Sequence, residues 1–414
     1  MLVFRAIWLG VAAVVAATIA SSGNAAIPQS ERAVLVALYQ QTGGDDWLSH
    51  EDWNGEPGTE CNWFGIFCNE AQTHVVQINL ASNNLVGRLP ELSPLVLLQF
   101  VDLRFNVLGG AIPALTDLRH LTNFYVGSNK FSEGIPDLTG PVSLQELDVS
   151  DNELTGEIPD LSSLVRLSVF NADMNQLTGA IPQLPVSLEF FEVGQNALSG
   201  ELPDISALIS LRDFTVYYND LEGALPRLET LRNLQGFFAI RNHFSGPLPA
   251  LEGPTNLQYY EVDENDLDGP IPDLAVQPGL IAFTAPSNHL TGTLPSLAMN
   301  SSLEFFIVSN NALVGAVPTL DASGALVYFE IDGNQLTGTL PSMAALTQLN
   351  AFRVGHNHLH GTIPAAPSPG ALVAGYSQLC PNALVHSNDA DWNIATGTTP
   401  WYRECVSVSG KPSE

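Results

Sequence analysis

The stretch LQELDVSDNELTGEIPDL, residues 144–161, decides the fold. Leu144, Leu147 and Val149 are apolar, and Asp148 stands between the last two, the alternation of a short strand with one buried and one solvated face. Asn152 follows where the chain has to turn. Its amide carries both donors and an acceptor, so it can satisfy backbone groups of the turn and of the next coil that a strand ladder leaves unpaired. Leu154 and Ile158 point back inward, Gly156 permits a tight or positive-φ backbone, and Pro159 fixes φ and stops further ladder pairing.

The same asparagine recurs thirteen times, at Asn83, Asn106, Asn129, Asn152, Asn175, Asn196, Asn219, Asn242, Asn265, Asn288, Asn311, Asn334 and Asn357. Eleven of the twelve intervals equal that from Asn83 to Asn106, which is 23 residues, and only Asn175 to Asn196 is shorter, at 21. The shortening falls in QLPVSL, which has two residues fewer than DLSSLVRL one repeat earlier and predicts a tighter convex turn. A proline stands seven residues after every asparagine, from Pro90 to Pro364. A glycine stands four residues after twelve of them; in the Asn129 repeat Glu133 takes that place and Gly134 follows. A fixed period of this length with leucines around an asparagine is the signature of a leucine-rich-repeat solenoid. Five residues before the asparagines the column reads Phe124, Leu147, Phe170, Phe191, Phe214, Phe237, Tyr260, Phe283, Phe306, Phe329 and Phe352. Strands of adjacent coils lie about 4.8 Å apart, so these rings are expected to stack as an inward-facing aromatic spine.

The pattern LxxLxLxxNxLxGxIP resembles the plant-specific class of leucine-rich repeats, found in receptor-kinase ectodomains and polygalacturonase-inhibiting proteins. The flank ERAVLVALYQQTGGDDW followed by DWNGEPGTECNWFGIFCN is similar to that family's N-terminal cap, and Cys380 to Cys405 to a cysteine-paired end cap. The resemblance implies an α/β right-handed solenoid with a parallel β-sheet on the concave face and a binding role. The asparagine spacing gives about thirteen repeats of about 23 residues between the two caps. The period is 23 where the plant class usually has 24. With a single sequon, Asn300-Ser301-Ser302, and the end segment ATGTTPW, this fits a bacterial secreted member. The expected organisation is a signal peptide over 1–26, an N-terminal cap over 27–74, repeats over 75–370 and a C-terminal cap over 371–414.

The signal peptide is read from Arg5, an apolar run and small residues before Ala25 and Ala26. No other stretch is long enough to span a bilayer. Export permits disulfides. Sequence proximity favours Cys61–Cys68 and Cys380–Cys405 among the three pairings that four cysteines allow. Solenoid ends expose apolar core and need caps. Ser30 is expected to N-cap a helix over 31–41, with Val34, Leu35 and Leu38 covering the first coil and Trp47, Trp53 and Trp63 packed beside them. Trp392 and Trp401 do the same at the other end. The balance of 14 basic and 43 acidic residues, net −29, disfavours nucleic acid and anionic membranes and favours basic partners.

A ligand is expected on the concave columns six, four and two residues before each asparagine. These hold ten acids, Asp102, Glu146, Asp148, Asp173, Glu192, Asp213, Glu261, Asp263, Glu330 and Asp332, against two bases, Arg104 and Arg353. Tyr217, Phe238, Ile240 and Tyr259, flanked by Glu261 and Asp263, form the expected recognition centre, and Phe305, Ile307 and Tyr328 a second group. No catalytic or cofactor motif is present. His356, His358 and His360 are read as polar turn residues, with no metal site. The expected protein is a non-enzymatic, monomeric, extracellular or cell-surface binding module for a protein or peptide. The alternative is binding of cell-wall glycan or inhibition of a polysaccharide hydrolase.

Overall fold

The computed structural model describes residues 26–367, 372–387 and 389–408; the expected signal peptide lies almost wholly outside them. Each coil contributes one three-residue strand to a concave sheet. After an antiparallel pair at the cap, β1 (Ile66–Cys68) and β2 (Val75–Asn79), the strands run parallel in chain order. They are β3 (Phe100–Asp102), β4 (Asn123–Tyr125), β5 (Glu146–Asp148), β6 (Val169–Asn171), β7 (Phe190–Glu192), β8 (Asp213–Thr215) and β9 (Gly236–Phe238). Then follow β10 (Tyr259–Glu261), β11 (Ala282–Thr284), β12 (Phe305–Ile307), β13 (Tyr328–Glu330) and β14 (Ala351–Arg353). Register is constant even across the short repeat, where Val169, Phe170 and Asn171 face Phe190, Phe191 and Glu192. The two missing residues are therefore absorbed on the convex side. Just past most of the asparagines a second short strand pairs with its neighbours, forming a lateral sheet of nine strands and another of four; the two are separated at the Asn288 coil, which makes only isolated bridges at Thr291 and Thr293.

The central residue of each concave strand points inward. From Phe170 to Phe352 nine rings form an unbroken stack, with centroids 5.5–6.1 Å apart and planes within 13–22°. Trp392 of the C-terminal cap meets its last ring at 6.0 Å. Each stacked pair is worth about 1 kcal/mol beyond its area burial.

The asparagines tie the coils together. Asn152 Nδ2 donates to the carbonyls of Val149 (3.1 Å) and Ser150 (2.9 Å) in its own turn and of Val126 (3.1 Å) in the coil before. Its Oδ1 accepts from the Phe131 amide at 2.9 Å. The bridge thus reaches the preceding coil, not the next one. Asn382, outside the sequence period, makes a fourteenth rung: it accepts from the Leu359 amide and donates to Val354 and Leu379. The residue before each asparagine of the thirteen takes positive φ, from Ser82 (53°) to His356 (51°), and only Gly333 is a glycine there.

Both caps form with the expected disulfides, Cys61–Cys68 and Cys380–Cys405. Trp47, Trp53 and Trp63 are buried with neighbouring rings 4.9 and 5.1 Å apart, and Trp392 and Trp401 are buried at the other end. Ser30 is not the N-cap. Helix α1 runs Gln29–Gln41 with Pro28 in the N-cap place and no side-chain cap, so Ser30 lies inside its first turn. Glu31 is instead buried and accepts from the Val75 amide while pairing with His74. Asn300, the sequon residue, is wholly buried, and its Nδ2 donates to Leu274 O and Gln277 O, which leaves the amide inaccessible to a glycan.

Candidate ligand-binding face

Because the strand centre faces the core, the residues six and four before the asparagine face the concave side, and the residue two before it lines the same face at the turn. At the N-terminal coils this face satisfies itself. Arg104 pairs with Asp102 at 2.7 Å and lies 4.6 Å over the Tyr125 ring. The Tyr125 hydroxyl donates to Glu146. Asp148, buried, accepts from the Ser150 hydroxyl at 2.6 Å.

Beyond Asp148 carboxylates follow one another without an ion-pair partner among the described residues. The Gly194 amide at 2.5 Å and the Tyr217 hydroxyl at 3.4 Å reach Asp173, yet burial still pushes its pKa up to about 7. Glu192 accepts from Asn171 Nδ2 at 2.7 Å. Burial, then the charges of Asp173, Asp213 and Asp148, raise its pKa to about 8. Burial takes Asp213 to about 6. Glu261 rises to about 7 through burial and then the neighbouring Asp263 charge. Asp263 also reaches about 7 through burial, against the hydrogen bond from Thr284 Oγ1 at 2.5 Å. Farther on, Arg353 compensates Glu330 and Asp332 at 4.0 and 3.8 Å.

The structure keeps Phe238, Ile240, Tyr259, Glu261 and Asp263 together as half-buried neighbours on adjoining coils. Phe238 stacks on Tyr259 at 6.2 Å. Tyr217 is a correction: it is 5% exposed and is not an open anchor for a ligand. Its ring covers Gly194 one coil earlier, so closely that a Cβ there would lie 2.3 Å from a ring atom. A glycine and a tyrosine at the same place in consecutive repeats are the sequence signal for this packing. In the second group Phe305 stacks on Tyr328 at 5.5 Å. The histidine reading needs correction in placement: His358 and His360 lie on a regular lateral strand, His358–Thr362, not in a turn. Among the described residues no group of three histidine, cysteine, aspartate or glutamate side chains is placed to hold a metal ion.

The Leucine Rich Repeat family model matches residues 143–164. Over 80 residues the chain is 32% identical to a probable LRR receptor-like serine/threonine-protein kinase of Arabidopsis thaliana, a match covering 19% of this chain and 11% of that protein. The crystal structure of PEPR1–AtPEP1 is similar with a TM-score of 0.75 and 29% identity, over 86% of this chain and 52% of that one. The plant peptide hormone receptor RGFR1, in complex with RGF2, gives 0.63 and 28%, over 77% and 57%. The chain thus spans little more than half the length of these receptor chains. Its fold is a leucine-rich-repeat solenoid, similar to those of these plant receptor structures. No helix among the described residues is long and apolar enough to cross a membrane.

Proposed function

We propose that the chain is a secreted, non-enzymatic, monomeric module that holds an extracellular peptide or protein segment against its concave sheet. The observation that carries this reading is a rigid sheet of fourteen strands whose open face bears aromatic side chains beside carboxylates without ion-pair partners. The likeness to PEPR1, solved with AtPEP1, and to the peptide hormone receptor RGFR1, solved with RGF2, supports it. On such a face partner choice falls to charge and shape.

The test presents the purified chain to a mixed extracellular proteome and to insoluble cell-wall polysaccharides, at low and high salt. A discrete protein or peptide captured at low salt and lost at high salt is the expected result, as is its loss from the Phe238→Ala/Tyr259→Ala variant. Undiminished capture by that variant would remove the concave patch from the reading. Retention on polysaccharide alone would favour the glycan-binding alternative, for which the aromatic–carboxylate surface is the supporting feature.

A further inference from the structure

Resting on the reading of the concave face as a peptide-binding surface, we infer that the partner is anchored by one ammonium group, a lysine side chain or a free N-terminus, seated on Glu192 with the Thr215 hydroxyl as its neutral ligand. Asp173, Glu192 and Asp213 stand on three successive coils and are half-buried, so their carboxylates still reach the open face. Glu192 lies in register between Asn171 of β6 and Thr215 of β8. Asn171 Nδ2 holds its Oε2 at 2.7 Å, and its Oε1 has no hydrogen bond among the described residues. Thr215 is 8% exposed, and its hydroxyl too makes no hydrogen bond among the described residues. The threonine at the same place in β11 differs: Thr284 donates to Asp263 at 2.5 Å. A nearly buried hydroxyl left unpaired costs free energy that a bound donor recovers.

The two bases of the concave columns show which group is missing here. Arg104 pairs with Asp102 near one end of the face, and Arg353 lies beside Glu330 and Asp332 near the other. Between them, no base among the described residues comes within ion-pair distance of Asp173, Glu192 or Asp213. The charged or titratable groups that face Glu192 are Asp148 and Asp173 on one side and Asp213 and Tyr217 on the other. Arg212, beside Asp213, is held by Glu189 at 3.1 Å. An ammonium suits the place because it is compact and its three donors reach separate acceptors, here Glu192, Thr215 and a flanking acid. Phe190, two residues before Glu192 on the same face of β7, is half-buried and gives the stem of a lysine an apolar rest. Burial raises Asp173, Glu192 and Asp213 to about 7, 8 and 6, so near neutral pH the free face holds protons that an ammonium displaces. Binding therefore releases protons, strengthens as pH rises through about 6 to 8 and weakens towards pH 5. A chain of net −29 draws such a partner in at long range.

The test pans a random dodecapeptide phage library on the full, disulfide-bonded chain at pH 8 and low salt, and remakes the enriched peptides with free and with acetylated N-termini. Expected are peptides with one essential ammonium: norleucine in place of a lysine, or acetylation where the terminus is the source, weakens binding at least tenfold. Calorimetry at pH 7.5 in phosphate and in Tris, whose heats of ionisation differ, is expected to show protons released on binding. Glu192→Gln, which keeps the shape, is expected to weaken binding at least tenfold and to reduce the release. Thr215→Val is expected to weaken binding severalfold and leave the release in place, both variants being checked for a cooperative melt. Peptides that bind Glu192→Gln as well as the native chain, release no protons or depend on no ammonium, yet are lost from Phe238→Ala/Tyr259→Ala, would overturn the ammonium seat and leave the concave-face reading standing. Peptides indifferent to both variants, or no enrichment at all, would count against both.

Discussion

Tyr260 shows how one atom can go against an otherwise uniform column. Its ring stacks between Phe237 and Phe283 at 5.5 and 5.7 Å, as a phenylalanine would. Its hydroxyl, wholly buried, finds no hydrogen-bond partner among the described residues. A buried hydroxyl without a partner costs roughly 1–3 kcal/mol, so Tyr260→Phe is expected to stabilise the chain by about 1 kcal/mol. A higher melting temperature with unchanged ligand binding is the checking result; a lower one would mean the hydroxyl has a partner. Single residues are legible in the sequence where a column makes their role repeat. The asparagines, the inward rings and the paired cysteines all stand where their spacing puts them. Tyr217 misleads because its own strand says nothing of Gly194 one coil away, on which its burial depends. Asn382 escapes the pattern because the period, carried on from Asn357, points to Cys380 instead, although its hydrogen bonds are those of the other rungs.

At the scale of the element, the turn carries most of what the sequence hid. The residue before each asparagine is left-handed, yet phenylalanine, methionine, tyrosine and arginine all occur there. Two inter-coil hydrogen bonds impose the conformation: the Tyr218 amide donates to Ile240 O at 2.7 Å and the Asn219 amide to Arg241 O at 3.2 Å. No residue type announces a conformation that is forced by neighbours. The glycine four residues after the asparagine is different, because there φ is also positive, 79° at Gly156, and the sequence does signal it. Glu133 is the exception and adopts φ of 68° on an exposed strand end. A left-handed non-glycine residue costs roughly 1–2 kcal/mol, partly offset by glycine's greater unfolded-state freedom. Glu133→Gly is therefore expected to stabilise the coil by about 0.5–1 kcal/mol, and Gly156→Ala to destabilise its own by about 1 kcal/mol. Melting temperatures moving in opposite directions would bear this out; a destabilising Glu133→Gly would mean that its side chain holds the turn.

Across the whole molecule the stacked coils turn a column of acids into a pH-dependent load. The excess of acids on the concave columns was legible from the spacing alone. Their burial was not, because it comes from side chains of the coils on either side. Asp173, Glu192, Asp213, Glu261 and Asp263 have folded-state pKa values of about 7, 8, 6, 7 and 7, against roughly 4 for carboxyls in an unfolded chain. Raised folded values mean that the native state binds more protons than the unfolded chain between about pH 4 and 8. Their contribution to stability is complete below the unfolded values and is lost as pH rises through 6 to 8. Asp160 and Asp204, lowered by hydrogen bonds from Ser162 and Ser206, act in the opposite sense, but they sit on exposed convex turns where water screens them. Protonation also relieves the self-repulsion of a net charge of −29. The melting temperature is accordingly expected to be higher at pH 5 than at pH 8. Glu192, raised furthest and hemmed in by Asp173, Asp213 and Asp148, should account for the steepest part. Glu192→Gln keeps an acceptor for Asn171 Nδ2 and removes the charge, so it is expected to raise the melting temperature at pH 8, change it little at pH 5 and flatten the slope between them. Calorimetry of the two chains at three pH values decides it: equal slopes would mean that water already reaches Glu192 and that the acids of the concave face carry their charge without strain.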